Sequence, residues 1–146
     1  MMSFVDKYKT FLSKVSQAAA DSLEHEVANE VRATMIIKAL DEVYSYDASP
    51  MAMDSRRMEA GGLGDWDQIR AEVKEEENFA ALEVWNTAPF QDGRLYGVSL
   101  AHVVETGAAS FRQPYPRPFT AKTQAEVLSS GRAYQALKKG LTRNGF

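Results

Sequence analysis

Apolar residues recur at steps of three or four from the start of the chain: Phe4, Tyr8, Phe11, Leu12, Val15, Ala19, Leu23, Val27, Val31 and Met35. Neither Gly nor Pro interrupts the run from Ser3 to Tyr44. This spacing keeps one face apolar at 3.6 residues per turn and predicts a long amphipathic helix. Ser3, with Asp6 three positions on, supplies an N-terminal capping signature. At 1.5 Å per residue a helix of roughly forty residues is about 60 Å long. That exceeds the width of a small domain, so the helix is expected either to break once or to reach out to a neighbouring chain.

The pattern then changes. SYDASPMAMDSRRMEAGGLG, residues 45–64, mixes turn formers, three methionines and clustered glycines, and predicts an extended loop. In DWDQIRAEVKEEE, residues 65–77, Trp66, Ile69 and Val73 fit helical spacing and Ile69, Ala71 and Val73 fit a strand; a strand is the expectation. FAALEVWNTAP, residues 79–89, reads as a strand ended by Pro89. Leu82 and Val84 fall on one face and Phe79, Ala81 and Trp85 on the other, so both faces are expected to be partly covered. LYGVSLAHVVET, residues 95–106, has the valines of a strand, but Leu100, Ala101 and Val104 followed by Gly107 at a C-cap position favour a short helix. After a proline-rich loop, Pro118 suits a first helical turn. Phe119, Thr123, Val127, Tyr134, Leu137 and Leu141 define one face of a single closing helix, with Lys138 and Lys139 near its end and Gly140 just after. The order helix, loop, sheet, helix is that of an α+β fold, with a long N-terminal helix, a small mainly antiparallel sheet and a C-terminal helix. A single domain over 1–146 is expected, divided into the helix at 1–44, the loop at 45–64 and the sheet with closing helices at 65–146.

Composition narrows the function classes. A net charge of −3 argues against a protein whose task is to neutralise phosphates, yet suits a surface past which DNA slides. Cysteine is absent, which removes disulfides, thiolate metal sites and Cys nucleophiles and fits a reducing place of assembly. The segment MMSFVDKYKTF lacks the apolar core of a signal peptide, and no stretch nears the roughly 18 apolar residues of a membrane span. A soluble, non-exported protein is expected.

Candidate chemistry is sparse. His25 lies between Glu24 and Glu26, where a solvated role is expected. His102 and Glu105 share a helical face and offer an acid-base or metal pair, but no third ligand stands at a telling spacing. GGLGD at 61–65 lacks the Lys and Ser or Thr of a phosphate loop and the preceding strand of a dinucleotide fingerprint, so a turn feeding the sheet is expected. The spacing in EVKEEE matches no calcium loop. The basic residues Arg56, Arg57, Arg112, Arg117, Arg132, Lys138, Lys139 and Arg143 are a scattered set with no groove-reading helix among them. Ion pairs between subunits are expected for them, because the planar guanidinium binds carboxylates bidentately.

Val43 and Tyr44, Pro50, Arg56 and Arg57, GGLGD at 61–65, LAHVVETG at 100–107, RPF at 117–119, Thr123 and ALKKGLTRNG at 136–145 form a series of separated stretches. Together they resemble one family, the tail-completion or neck proteins that join head to tail in long-tailed bacteriophages. The order and spacing of the stretches from about Val43 onward carry the resemblance. Two departures stand in the loop: Met53 lies near the place of a Tyr, and one extra residue separates Pro50 from Arg56. The resemblance implies a fold similar to tail terminators and a ring, of six copies, around the channel through which DNA leaves the capsid. It implies a virion location at the neck or top of the tail, with connector or head-closure and tail-tube or tail-terminator proteins as partners. Tail-terminator and head-closure roles are alternatives within that region.

A ring subunit needs two different complementary surfaces. The interface residues put forward are Arg56, Arg57, Glu105, Arg112, Arg117 and Phe119. Phe119 is expected to bury its ring and Arg117 to pair with a carboxylate, with Glu105 one candidate, across a turn at Gly107. No catalytic residue, cofactor or metal is expected. Two readings of other classes remain open: a small hydrolase or nucleotide-binding enzyme built on His102, Glu105 and GGLGD, and a nucleic-acid-binding module built on the arginines.

Overall fold

The computed structural model describes residues 1–44, 61–76, 79–89, 99–106 and 116–146. The predicted cap is present. The Asp6 N–H donates to the Ser3 hydroxyl at 3.2 Å, and the Ser3 N–H donates back to the Asp6 carboxylate at 3.2 Å, so each side-chain oxygen satisfies the other residue's otherwise orphaned N–H. Helix α1 (Phe4–Ser22) passes through a π-helical turn (Leu23–Val27) into α2 (Ala28–Ala39) and a second π-helical turn (Leu40–Tyr44). Backbone angles at the junctions remain right-handed helical. The expected single break is thus replaced by two local widenings of one continuous rod. Buried hydroxyls inside the rod bond back one turn: Ser22 to the Ala18 carbonyl at 2.6 Å and Thr34 to that of Glu30 at 2.8 Å.

GGLGD forms the turn into the sheet. Gly61 takes φ 89°, a left-handed conformation that glycine tolerates, and its N–H donates to the Asp65 carboxylate. Asp65 also caps a 3₁₀ turn (Trp66–Gln68), accepting from the Asp67 N–H at 2.9 Å. Strands β1 (Ile69–Glu76) and β2 (Phe79–Asn86) pair antiparallel, with Ile69 opposite Asn86 and Glu76 opposite Phe79. This register places Ile69, Val73, Leu82 and Val84 on the inner face, as the two-residue side-chain period requires. The outer face, expected to be partly covered like the inner one, is only sparsely covered by the described residues: Ala81 is half-buried. Phe79 and Trp85 are exposed there, and Glu72 faces Glu83 directly, relieved by a 2.6 Å ion pair from Lys74 to Glu83.

Helix α3 (Leu100–Thr106) forms where the short helix was preferred; Gly107 lies outside the described residues. The single closing helix predicted from 118 onward is instead two, α4 (Phe119–Ser129) and α5 (Arg132–Arg143), separated at Gly131, which takes φ 71°. Both run antiparallel to the rod. Lys122 pairs with Glu42 and Glu126 with Lys38, then Arg132 with Glu30 and Arg143 with Glu26 and Asp21, and the ring of Phe146 meets Phe11 edge-on at 6.2 Å. The core sits at the far end of the rod, where Met35, Ala39 and Val43 meet Leu63, Ile69, Ala88, Val104 and Phe119. None of the helices among the described residues is long and apolar enough to cross a membrane.

Candidate functional site

Of the six residues put forward for the interface, Arg56, Arg57 and Arg112 lie outside the described residues. The other three meet at the start of α4. Phe119 is fully buried in the core, as expected. The Arg117 N–H donates to the Val104 carbonyl at 2.9 Å, and its Nη1 donates to the Val43 carbonyl, also at 2.9 Å.

Glu105 and Arg117 do not pair with each other. Both Glu105 carboxylate oxygens accept backbone N–H groups at the start of α4, from Thr120 at 3.0 Å and Ala121 at 3.1 Å. Pro118 stands at the cap position of α4 and supplies no side-chain acceptor, so α3 contributes the missing cap across 15 residues of sequence. The reason is the polarity of helix ends: orphan N–H groups attract the anion and orphan carbonyls at the end of the rod attract the cation. The expected ion pair is thereby replaced by two helix-end contacts that lock α3, α4 and the rod together.

The basic set expected to pair between subunits is also partly used within the chain. Arg132 reaches Glu30 and Glu126 at 3.7 Å each. Arg143 holds Glu26 at 3.1 Å and Asp21. Asn144 donates to the same Asp21 carboxylate at 2.8 Å. That hydrogen bond, joined by Arg143 and His25, holds the Asp21 carboxyl below its ordinary value against partial desolvation. Lys138 and Lys139 are exposed.

The residues weighed for chemistry do not assemble. His25 is exposed, with Nδ1 3.0 Å from the Asp21 carbonyl. His102 is exposed on α3, and its neighbour Glu105 is engaged at both oxygens. Among the described residues no three His, Asp or Glu side chains gather to hold a metal ion.

Two apolar features are left uncovered by the described residues. The first is the N-terminal part of α1, where Phe4 is 83% exposed, Tyr8 and Phe11 54% each, and Val5 and Leu12 about half. The periodicity pointed to this face as apolar; what it did not reveal is that nothing among the described residues covers most of it. The second is a cleft of about 870 Å³ along α2, walled by β2 and α4 and ended by α3, with Val31 and Met35 on its floor. Its lining comes from four elements distant in sequence, so no local pattern marks it.

No curated protein and no solved structure matches the chain. The profile of the YomN family matches residues 7–143, from the first turns of the exposed arm to the end of α5. The chain therefore belongs to the YomN family, a phage-derived family, and is a phage-associated protein.

Proposed function

We propose that this protein is a virion structural protein of the bacteriophage head-tail junction. It assembles as a ring, of six copies, around the DNA channel and joins or completes the tail against the connector. The observation that carries this reading is the uncovered apolar arm. Aromatic side chains present about 150–250 Å² each, so Phe4, Tyr8 and Phe11 at the exposures given above, with Val5 and Leu12, present on the order of 500 Å² of apolar surface that the described residues do not cover. Monomers rarely leave a contiguous patch larger than a few hundred Å² without an interaction to cover it.

Membership in a phage-derived family supports the setting, and the order of motifs shared with tail-completion proteins supports the place. The net charge of −3 suits a channel wall that DNA passes without adhering. Glu105, Arg117 and Phe119 act in this reading by fixing α4 against the rod, so that arm and cleft keep one relative geometry. No catalytic step is part of it.

Removing the protein from its phage tests the role. Filled heads and separate finished tails, unable to join, are the expected outcome. Complete infectious particles lacking the protein would overturn it, and tails of uncontrolled length would reassign it to tail termination.

A further inference from the structure

The arm and the cleft match each other. We propose that the apolar arm of one copy, Phe4 to Leu12, lies in the cleft of the next copy, against the α2 floor and between β2 and α4. The proposal rests on the ring reading above and names the contact that would propagate the ring.

Three features argue for a second copy as the occupant. The lengths agree: from Phe4 to Leu12 the arm rises about 12 Å, and the α4 wall from Thr120 to Leu128 rises the same 12 Å at 1.5 Å per residue. The surfaces agree in kind, because the arm presents Phe4, Val5, Tyr8, Phe11 and Leu12 to a cleft bordered by Val31, Met35, Leu82, Val84, Val127 and Leu128. Helix-in-groove docking uses such an apolar stripe. The charges do not oppose it. Residues 1–17 carry three lysines and one aspartate, a side-chain charge of +2, and the cleft is lined by no Lys or Arg that would repel them.

The third feature is reach. Arm and cleft floor belong to one helical rod, so the helix between Leu12 and Val31 holds them about 28 Å apart. An arm on that rod cannot occupy its own cleft, whereas it can occupy another. Joining two different surfaces is a head-to-tail contact, which closes into a ring when the rotation per copy allows.

The absence of cysteine makes the test direct. Leu12→Cys, Thr120→Cys and Leu128→Cys are made as separate full-length chains, and Leu12→Cys is mixed with each of the other two, one for either direction of the arm along α4, under mild oxidation, alone and with connector and tail-tube proteins. A disulfide-linked dimer that needs both variants is expected in one of the two mixtures. Cross-linking of Leu12→Cys chiefly to itself would overturn the proposal in favour of arm-to-arm pairing. A ring-sized species without either mixed cross-link would overturn the docking and leave the ring reading standing. A monomer without cross-link under every condition would overturn both. In parallel, Tyr8→Glu, on an exposed face, is expected to weaken self-association at least about tenfold without changing the helical signal or melting temperature; unchanged association would count against the arm.

Discussion

Gly140 of α5 crosses Ser22 of the rod with no room for a side chain between them. A Cβ on Gly140 would stand 2.5 Å from the Ser22 Cβ and 2.7 Å from the Glu26 Oε2, distances at which the helices must separate. Gly140→Ala is expected to destabilise the protein by about 1–3 kcal/mol, as overpacking does, despite the better helix propensity of Ala. Urea unfolding checks this. Combining it with Ser22→Gly should recover part of the loss, because the clash is with the Ser22 Cβ itself; strictly additive effects would place the strain elsewhere.

Glu105 caps α4 from another helix. Glu105→Ala leaves the Thr120 and Ala121 N–H groups without their acceptor and is expected to cost about 1–2 kcal/mol, the range for losing a helix cap. Glu105→Gln, which keeps one acceptor oxygen, should lie between. Thermal melting orders the three proteins, and equal stability of all three would remove the capping role.

Phe119→Ala empties the position where α4 enters the core. The side chain is fully buried, so a loss of about 3–5 kcal/mol is expected from transfer and cavity terms together. Arg117→Gln, losing the charge at the Val43 carbonyl, should cost less, about 1–2 kcal/mol. Equilibrium unfolding that reversed this order would show that the core is organised around other residues.

These sites also mark how far the residues announced the structure. The Ser3 and Asp6 cap, the helical run to Tyr44 and β2 were legible, because local spacing decides them, whereas β1 and α3 fitted both periods and were only preferred as strand and helix. The break at Gly131 was not. Phe119, Thr123 and Val127 before it and Leu137 and Leu141 after it stay in helical phase, so an interrupted helix and a continuous one read alike. Gly140 was mistaken for a terminator, since Lys138 and Lys139 before it mimic a last turn; the close crossing with Ser22 that fixes it exists only once α5 packs on the rod. Glu105 and Arg117 suggested a pair by charge, while the competing partners, helix-end amides and carbonyls, have no side-chain signature. The apolar character of the arm was visible, but its exposure depends on where the rest of the chain ends up.

Acid should loosen both ends of the described structure. Hydrogen bonds from the Gly61 and Asp67 N–H groups hold the Asp65 carboxyl below its ordinary 3.8, and the Asn144 amide leads in doing the same for Asp21. A carboxyl whose folded pKa is depressed contributes stability that is present above the unfolded pKa and lost as pH falls through the folded one. Stability is therefore expected to decline on acidification below about pH 4, with a shallower decline in Asp65→Asn and Asp21→Asn. Parallel slopes in all three proteins would assign the acid sensitivity to other carboxyls.

Mass in solution tests the ring most directly. Light scattering with electron microscopy of the purified chain, alone and with connector and tail-tube proteins, should find closed rings near six times the 16.2 kDa subunit in at least one of these conditions. A particle of 16.2 kDa in every one of them would contradict the ring.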